Sequence, residues 1–186
     1  AAWSDQYLQS PPKTADGWFA LGTLRASQDD PETAVYCFCE AVIQNQTDQQ
    51  AYASLSIELE KLNLLSESKL ATDRAASIRR TQSIGDAMAE SDVRDPKQLS
   101  ELVRLLDELK RPFESLAWQA VQLAYIQSQL SETQAKEQMT ALNARHRQLL
   151  QQPNTEAPLE FVVCGVDIGA LREKVKSKLD PQAVLR

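Results

Sequence analysis

Two short runs decide the fold of this chain of 186 residues: WFALG at residues 18–22 and AVYCFCEA at residues 34–41. Six of their positions have a counterpart 34 residues further along the chain. Self-similarity at this period is typical of stacked helix hairpins, in which each hairpin needs a neighbour to bury its apolar face. The six pairs are Trp18 and Tyr52, Leu21 and Leu55, Gly22 and Ser56, Ala34 and Ser68, Phe38 and Thr72, and Ala41 and Ala75.

The spacing within the two runs predicts two helices joined by a tight turn. Large side chains at Trp18 and Leu21 and the small Gly22 form one face of the first helix, and positions 34, 38 and 41 form one face of the second. Asp30 is placed to cap the second helix, with Pro31 at its first position, where the missing N–H costs nothing. The second copy is expected to turn at residues 62–64 and to continue as a helix toward residue 90.

These residues resemble the tetratricopeptide repeat, a family of helix hairpins. The first copy departs from the family at Arg25, where an aromatic residue is preferred, and at Gln46, where proline is preferred. The second copy keeps the spacing with weaker identities. A third, more degenerate copy is predicted in residues 96–129, with Gln119 and Gln122 departing from the pattern. It is carried by Leu99, Leu102, Val103, Leu106 and Ser115.

The resemblance implies an all-α fold, a right-handed solenoid or superhelix of about three such hairpins with capping segments at both ends. The repeats are expected at about residues 15–48, 49–90 and 96–129. A capping helix is expected at 131–151, because Ser131 and Gln134 have the spacing of a capping box. Together they make residues 1–151 a helical repeat domain.

Segments outside the repeats are predicted from local signals. Ala1 to Ser10 is expected to form a short helix that covers the first hairpin. Residues 152–186 are expected to form a linker and a C-terminal segment, with an extended run at 161–164 and a short final helix. Asp167 is placed to cap that helix, which would end at Leu179.

Composition places the chain among ordinary globular proteins and disfavours two classes of partner. Apolar residues make up 42% and charged residues 25% of the sequence, which is usual for a globular domain. The net charge of −6 and the pI of about 4.9 argue against nucleic-acid binding, which needs a basic surface. No apolar run is long enough to cross a bilayer, so no membrane insertion is expected.

The chemically reactive residues do not form a catalytic pattern. Cys37, Cys39 and Cys164 are expected to be small buried side chains, and His146 is the single histidine. The sequence lacks a phosphate-binding loop, a nucleophile elbow and a two-histidine metal motif. We therefore predict a protein that is not an enzyme and that needs no metal or cofactor.

The resemblance implies that the first helices of the hairpins line a concave groove that binds a peptide or a partner's helix. Phe19 and Ile57 are the expected anchors, because apolar side chains carry most of the affinity in helix-groove recognition; burial of both by flanking segments is the alternative. The carboxylate clamp of some family members is missing, since Thr23, Ile57 and Arg104 stand where asparagine is expected. The candidate groove residues are Phe19, Thr23, Ala26, Ala53, Ile57, Glu60, Ser100, Arg104 and Asp107.

The leading hypothesis is a non-catalytic protein-binding or scaffolding module of a larger protein, with a peptide or protein partner. One alternative is a regulatory or spacer segment of a multidomain protein or enzyme, such as a secreted bacterial protein. A helical-repeat RNA binder is a further alternative, disfavoured by the acidic charge. The sequence starts at Ala1 without methionine, which is expected of a piece of a longer chain. It fits a cytoplasmic location by default, or an extracytoplasmic one if a leader was removed, and it does not predict an oligomeric state.

Overall fold

The computed structural model describes residues 11–90, 95–152 and 155–179. These residues form helices joined by turns and contain no β-strand, which confirms the all-α class. The predicted helix at residues 1–10 and the predicted break at 91–94 lie outside the described residues. The helices are α1 (Ala15–Ser27), α2 (Pro31–Gln44), α3 (Gln49–Lys61), α4 (Leu65–Glu90), α5 (Pro96–Glu108), α6 (Pro112–Ile126), a 3-10 turn (Gln127–Gln129), α7 (Glu132–Gln151), α8 (Leu159–Val162) and α9 (Ile168–Leu179).

The helices begin where capping residues occur in the sequence. The Asp30 side chain accepts a hydrogen bond from the N–H of Thr33, and Pro31 opens α2, as predicted. Asp48 accepts from two N–H groups at the start of α3, at 2.9 and 3.0 Å. Ser131 and Gln134 form the predicted capping box at the start of α7. These contacts satisfy backbone donors that a helix cannot pair internally.

The described chain divides into two compact units. The first comprises Ala1–Ala76 together with Pro158–Arg186, and the second comprises Ser77–Ala157. Helix α4 therefore contributes residues 65–76 to the first unit and residues 77–90 to the second. It ends at Glu90, as its periodicity predicts.

Helix α2 is the centre of the first unit, where it packs against α1, α3, α8 and α9. It is buried on nearly all sides, and Phe38 is only 1% exposed. Gly22 of α1 touches the Phe38 ring so closely that a Cβ atom there would lie 2.7 Å from Cε1 of the ring. The predicted small residue therefore does let the helices of the hairpin approach.

The second helix of the second copy differs from the prediction at the position matched to Phe38. Thr72 is exposed, and α4 buries Ala71 and Ala75 instead. Each helical residue adds about 100° of rotation, so the buried face of α4 includes a residue one position earlier than the 34-residue spacing indicates. The hydroxyl of Ser68 donates to the carbonyl of Ser56 at 2.9 Å and joins α4 to α3.

The prediction of an extended run at residues 161–164 is wrong. Residues 159–162 form the short helix α8, followed by a turn in which Cys164 and Gly165 adopt positive φ angles of 56° and 80°. A short apolar run does not by itself distinguish a strand from a buried helical turn. The predicted final helix is confirmed, because Asp167 accepts from the N–H of Ala170 at 2.9 Å and α9 ends at Leu179.

The second unit has its own core, built from the end of α4, from α5 and from one aromatic side chain of α6. Helix α6 also packs on α5 and α7. The Arg80 guanidinium donates to both oxygens of Glu101, at 2.9 and 2.6 Å, which lowers the pKa of that carboxyl group. The core residues are Ile84, Met88, Leu99, Leu102, Leu105 and Leu106, with Trp118 packed against them.

Candidate binding surfaces

The structure places six of the predicted groove residues on two neighbouring helices of the first unit. Helices α1 and α3 are in contact, and they carry three candidates each. On α1, the Phe19 ring is half-buried because it packs on Phe38, with ring centroids 5.7 Å apart. Thr23 is exposed and its hydroxyl donates to the carbonyl of Phe19 at 3.0 Å, while Ala26 is half-buried.

The most exposed apolar candidate in this surface is Ile57 of α3, at 56%. Glu60 is also exposed, and Ala53 is half-buried. The other large apolar residues of α3, among them Leu55 and Leu59, are fully buried. We call the surface formed by Phe19, Thr23, Ala26, Ala53, Ile57 and Glu60 the first-helix surface.

The remaining three candidates lie on α5 in the second unit, and each already has a polar partner there. Ser100 accepts a hydrogen bond from the Gln122 side chain at 2.7 Å. The exposed Arg104 pairs with Glu108, one helical turn later, at 2.5 Å. Asp107 accepts from Arg145 of α7 at 2.8 Å.

A larger apolar surface, which the groove prediction did not include, lies on α6 and α7. Phe113 and Val121 are each 40% exposed, and Met139 is 49% exposed. The sequence shows the broad apolar stripe of α6, but only Ser115, Leu116 and Leu123 of that helix are buried. A stripe of this kind is usually assigned to packing inside the hairpin, and periodicity alone does not show how much of it a neighbour covers.

Part of this surface is a groove of about 300 Å³ between the two helices, which we call the α6–α7 groove. His146 stands exposed at one end of it. A second cavity of about 440 Å³, lined mainly by glutamine and aliphatic side chains with Arg145, lies along the same two helices. The α6–α7 groove is lined by Phe113, Leu116, Ala117, Ala120, Met139, Leu142, Asn143 and His146.

The three cysteines are buried and unpaired, as predicted. Burial raises the pKa of the Cys37 thiol to about 12 and that of Cys164 to about 11, and it also raises the pKa of Cys39. Such thiols stay protonated at neutral pH and are poor nucleophiles. In the described part of the chain, no three histidine, cysteine, aspartate or glutamate side chains are grouped to hold a metal ion.

Among the residues that the structure describes, no helix has the length and apolar character needed to span a membrane. Comparisons with known proteins leave the family open. No family model, no curated protein and no solved structure matches the chain. The function is therefore argued from the surfaces themselves.

Proposed function

We propose that this chain is a non-catalytic, tetratricopeptide-like scaffold that binds a peptide or a surface of another protein. The observation that carries the proposal is the continuous apolar surface of α6 and α7, where Phe113, Val121 and Met139 are each at least 40% exposed. Contiguous exposed apolar surface is costly in water and commonly marks a protein interaction site. Single exposed apolar residues do not carry this meaning.

The first-helix surface is the second face that this function can use. Its position on neighbouring first helices agrees with the groove implied by the tetratricopeptide resemblance. Ile57 is the best anchor there, because Phe19 already spends much of its ring surface on Phe38. The net charge of −6 supports a protein rather than a nucleic-acid partner.

The test is affinity capture from a lysate of the source cells, comparing the full chain with Ile57→Glu and Val121→Glu. Thr72→Glu and Gln148→Glu are matched controls, because each adds the same charge at an exposed position of the same unit. Circular dichroism checks that all five proteins fold.

A protein retained by the full chain and both controls, and lost with one of the two surface variants, supports the proposal and identifies the binding face. If the full chain retains no more than a bare resin, the scaffold proposal fails. The hypothesis of a regulatory or spacer segment then replaces it.

A further inference from the structure

The α6–α7 groove has the form of a trough with an apolar row on each wall. On α6, Phe113, Ala117 and Ala120 are spaced four and three residues apart. On α7, Met139 and His146 are seven residues apart, with Asn143 between them. Seven residues of helix correspond to about 10 Å. A trough of this length and spacing fits two to three turns of an amphipathic helix, whose apolar residues recur at the same intervals.

The α7 edge of the groove is positively charged. Lys136 and Arg147 are exposed, and they lie three residues before Met139 and four residues after Asn143, on the adjoining side of the helix. Within the described residues neither cation pairs with a carboxylate; the Arg147 guanidinium donates to a carbonyl of its own helix at 3.3 Å. His146 adds a further cation at this edge when it is protonated.

The acidic residues of the same two helices do not cancel this edge. Glu114, the one carboxylate of α6, is held by Arg111, with 2.7 Å between Nε and Oε1. Glu137 faces the opposite side of α7 from Met139, since two residues correspond to about 200° of rotation. Glu132 lies in the first turn of α7, seven residues before Met139.

We infer that the α6–α7 groove binds an amphipathic helix of a partner protein that has acidic residues along one edge. This inference rests on the proposed protein-binding function and specifies the partner's chemistry. Apolar residues of the helix fill the trough between Phe113 and Met139, and its acidic edge lies beside Lys136 and Arg147. A second copy of this chain is a poorer occupant, because the same surface on that copy has the same positive edge.

The experiment uses the full chain and two fluorescein-labelled, stapled helical peptides of about 15–18 residues, a length that spans four to five turns. Both peptides carry leucines on one face; one has glutamates along the edge of that face and the other has lysines. Fluorescence anisotropy measures affinity at low and high salt. Sedimentation velocity measures the oligomeric state of the full chain at the same concentrations.

We expect the acidic peptide to bind at least tenfold more tightly than the basic one, with the difference shrinking in high salt. Met139→Glu should weaken the acidic peptide at least tenfold, whereas Gln148→Glu on the far side of α7 should leave it unchanged. The double variant Lys136→Glu/Arg147→Glu should reverse the preference between the peptides. Met139 and both cations are exposed, so these variants keep the core intact.

Equal binding of the two peptides, or binding of neither, would overturn the inference. A dimer of the full chain that Met139→Glu dissociates would overturn it in favour of a second copy as the occupant. Failure of this inference can be told apart from failure of the proposed function. If neither peptide binds but a lysate protein is captured and Met139→Glu still captures it, the scaffold function stands and this groove is not its site.

Discussion

Replacing Gly22 by alanine tests whether the close approach of α1 and α2 holds the first unit together. An added Cβ atom would lie 2.7 and 2.8 Å from two carbons of the Phe38 ring. The ring cannot move away freely, because Phe38 is 1% exposed and Phe19 packs on it. Overpacking of this kind costs about 1–3 kcal/mol, against a gain in helix propensity of about 1 kcal/mol for alanine over glycine.

The matched control is Gly85→Ala in the middle of α4, where a new Cβ atom meets nothing within 4 Å. This variant should keep the whole propensity gain of about 1 kcal/mol. Gly22→Ala should be neutral or destabilising by up to about 2 kcal/mol, so the two variants should differ by about 1–3 kcal/mol. In a chain of this length each kcal/mol shifts Tm by about 2–4 °C.

The assay is urea unfolding followed by circular dichroism. Hydrogen exchange of peptides from residues 15–44 assigns the effect of Gly22→Ala to the first unit. Phe38→Leu in the same chain should partly rescue Gly22→Ala, giving a favourable coupling in a double-mutant cycle. A Gly22→Ala variant as stable as Gly85→Ala, with no coupling to position 38, would refute the packing argument.

Three further predictions concern the first unit. Because burial raises the pKa of Cys37 to about 12 and of Cys164 to about 11, these thiols stay protonated in the folded chain while the unfolded chain loses the protons near pH 8.5; the free energy of unfolding should therefore fall as pH rises from about 8.5 toward 11, and urea unfolding at pH 7.5 and 10 with no thiol-dependent difference would contradict this. Asp48→Ala removes the acceptor of two N–H groups at the start of α3 and should cost about 1 kcal/mol in thermal unfolding, whereas Asp48→Asn should retain most of the stability. Arg74→Met removes a guanidinium that lies 3.5 Å from the centre of the Phe161 ring and donates to the carbonyl of Phe161; with a loss of about 2 kcal/mol, hydrogen exchange should speed up in residues 158–176 and not in α1, and uniform protection would argue against this role.

Local chemistry in the sequence is enough to locate most helix ends. Asp30 with Pro31, Asp95 with Pro96, and Ser131 with Gln134 each satisfy backbone N–H groups within a few residues of themselves. Such signals do not depend on the rest of the fold. For this reason α2, α5 and α7 begin where the sequence predicts them to begin.

Contacts between distant residues could not be predicted in the same way. The buried face of α4 is set by what packs on it, so Thr72 is exposed although its position matches Phe38 in the 34-residue spacing. The residues from Phe161 to Cys164 are apolar enough for a strand, yet they form a helical turn and a loop against the first unit. Burial therefore needed the partner surface as well as the periodicity.

The candidate surfaces show the same division. The spacing of 34 residues correctly puts Phe19 and Ile57 on two helices that lie side by side. It does not show that the Phe19 ring is occupied by Phe38, or that α6 leaves Phe113 and Val121 open to solvent. Whether an apolar side chain packs in the core or stays exposed depends on neighbours that helical periodicity does not specify.

The C-terminal segment is held by two positions that are equivalent in the repeat. Glu40 of α2 and Arg74 of α4 are 34 residues apart. Glu40 accepts from Arg172 of α9 at 2.8 Å, and Arg74 lies over the Phe161 ring of α8. The segment thus contacts corresponding points of the two hairpins through opposite charges.

The same contacts give a reason for the weaker identities of the second copy. Trp18 packs edge-on against Tyr36, with ring centroids 5.8 Å apart. Tyr52, its counterpart, donates its hydroxyl to the carbonyl of Val162 at 3.0 Å, and burial raises its pKa to about 12. A buried carbonyl without such a donor would be costly. Tyrosine at this position therefore reflects a different neighbour, the C-terminal segment, and the second hairpin departs from the repeat pattern where that segment covers it.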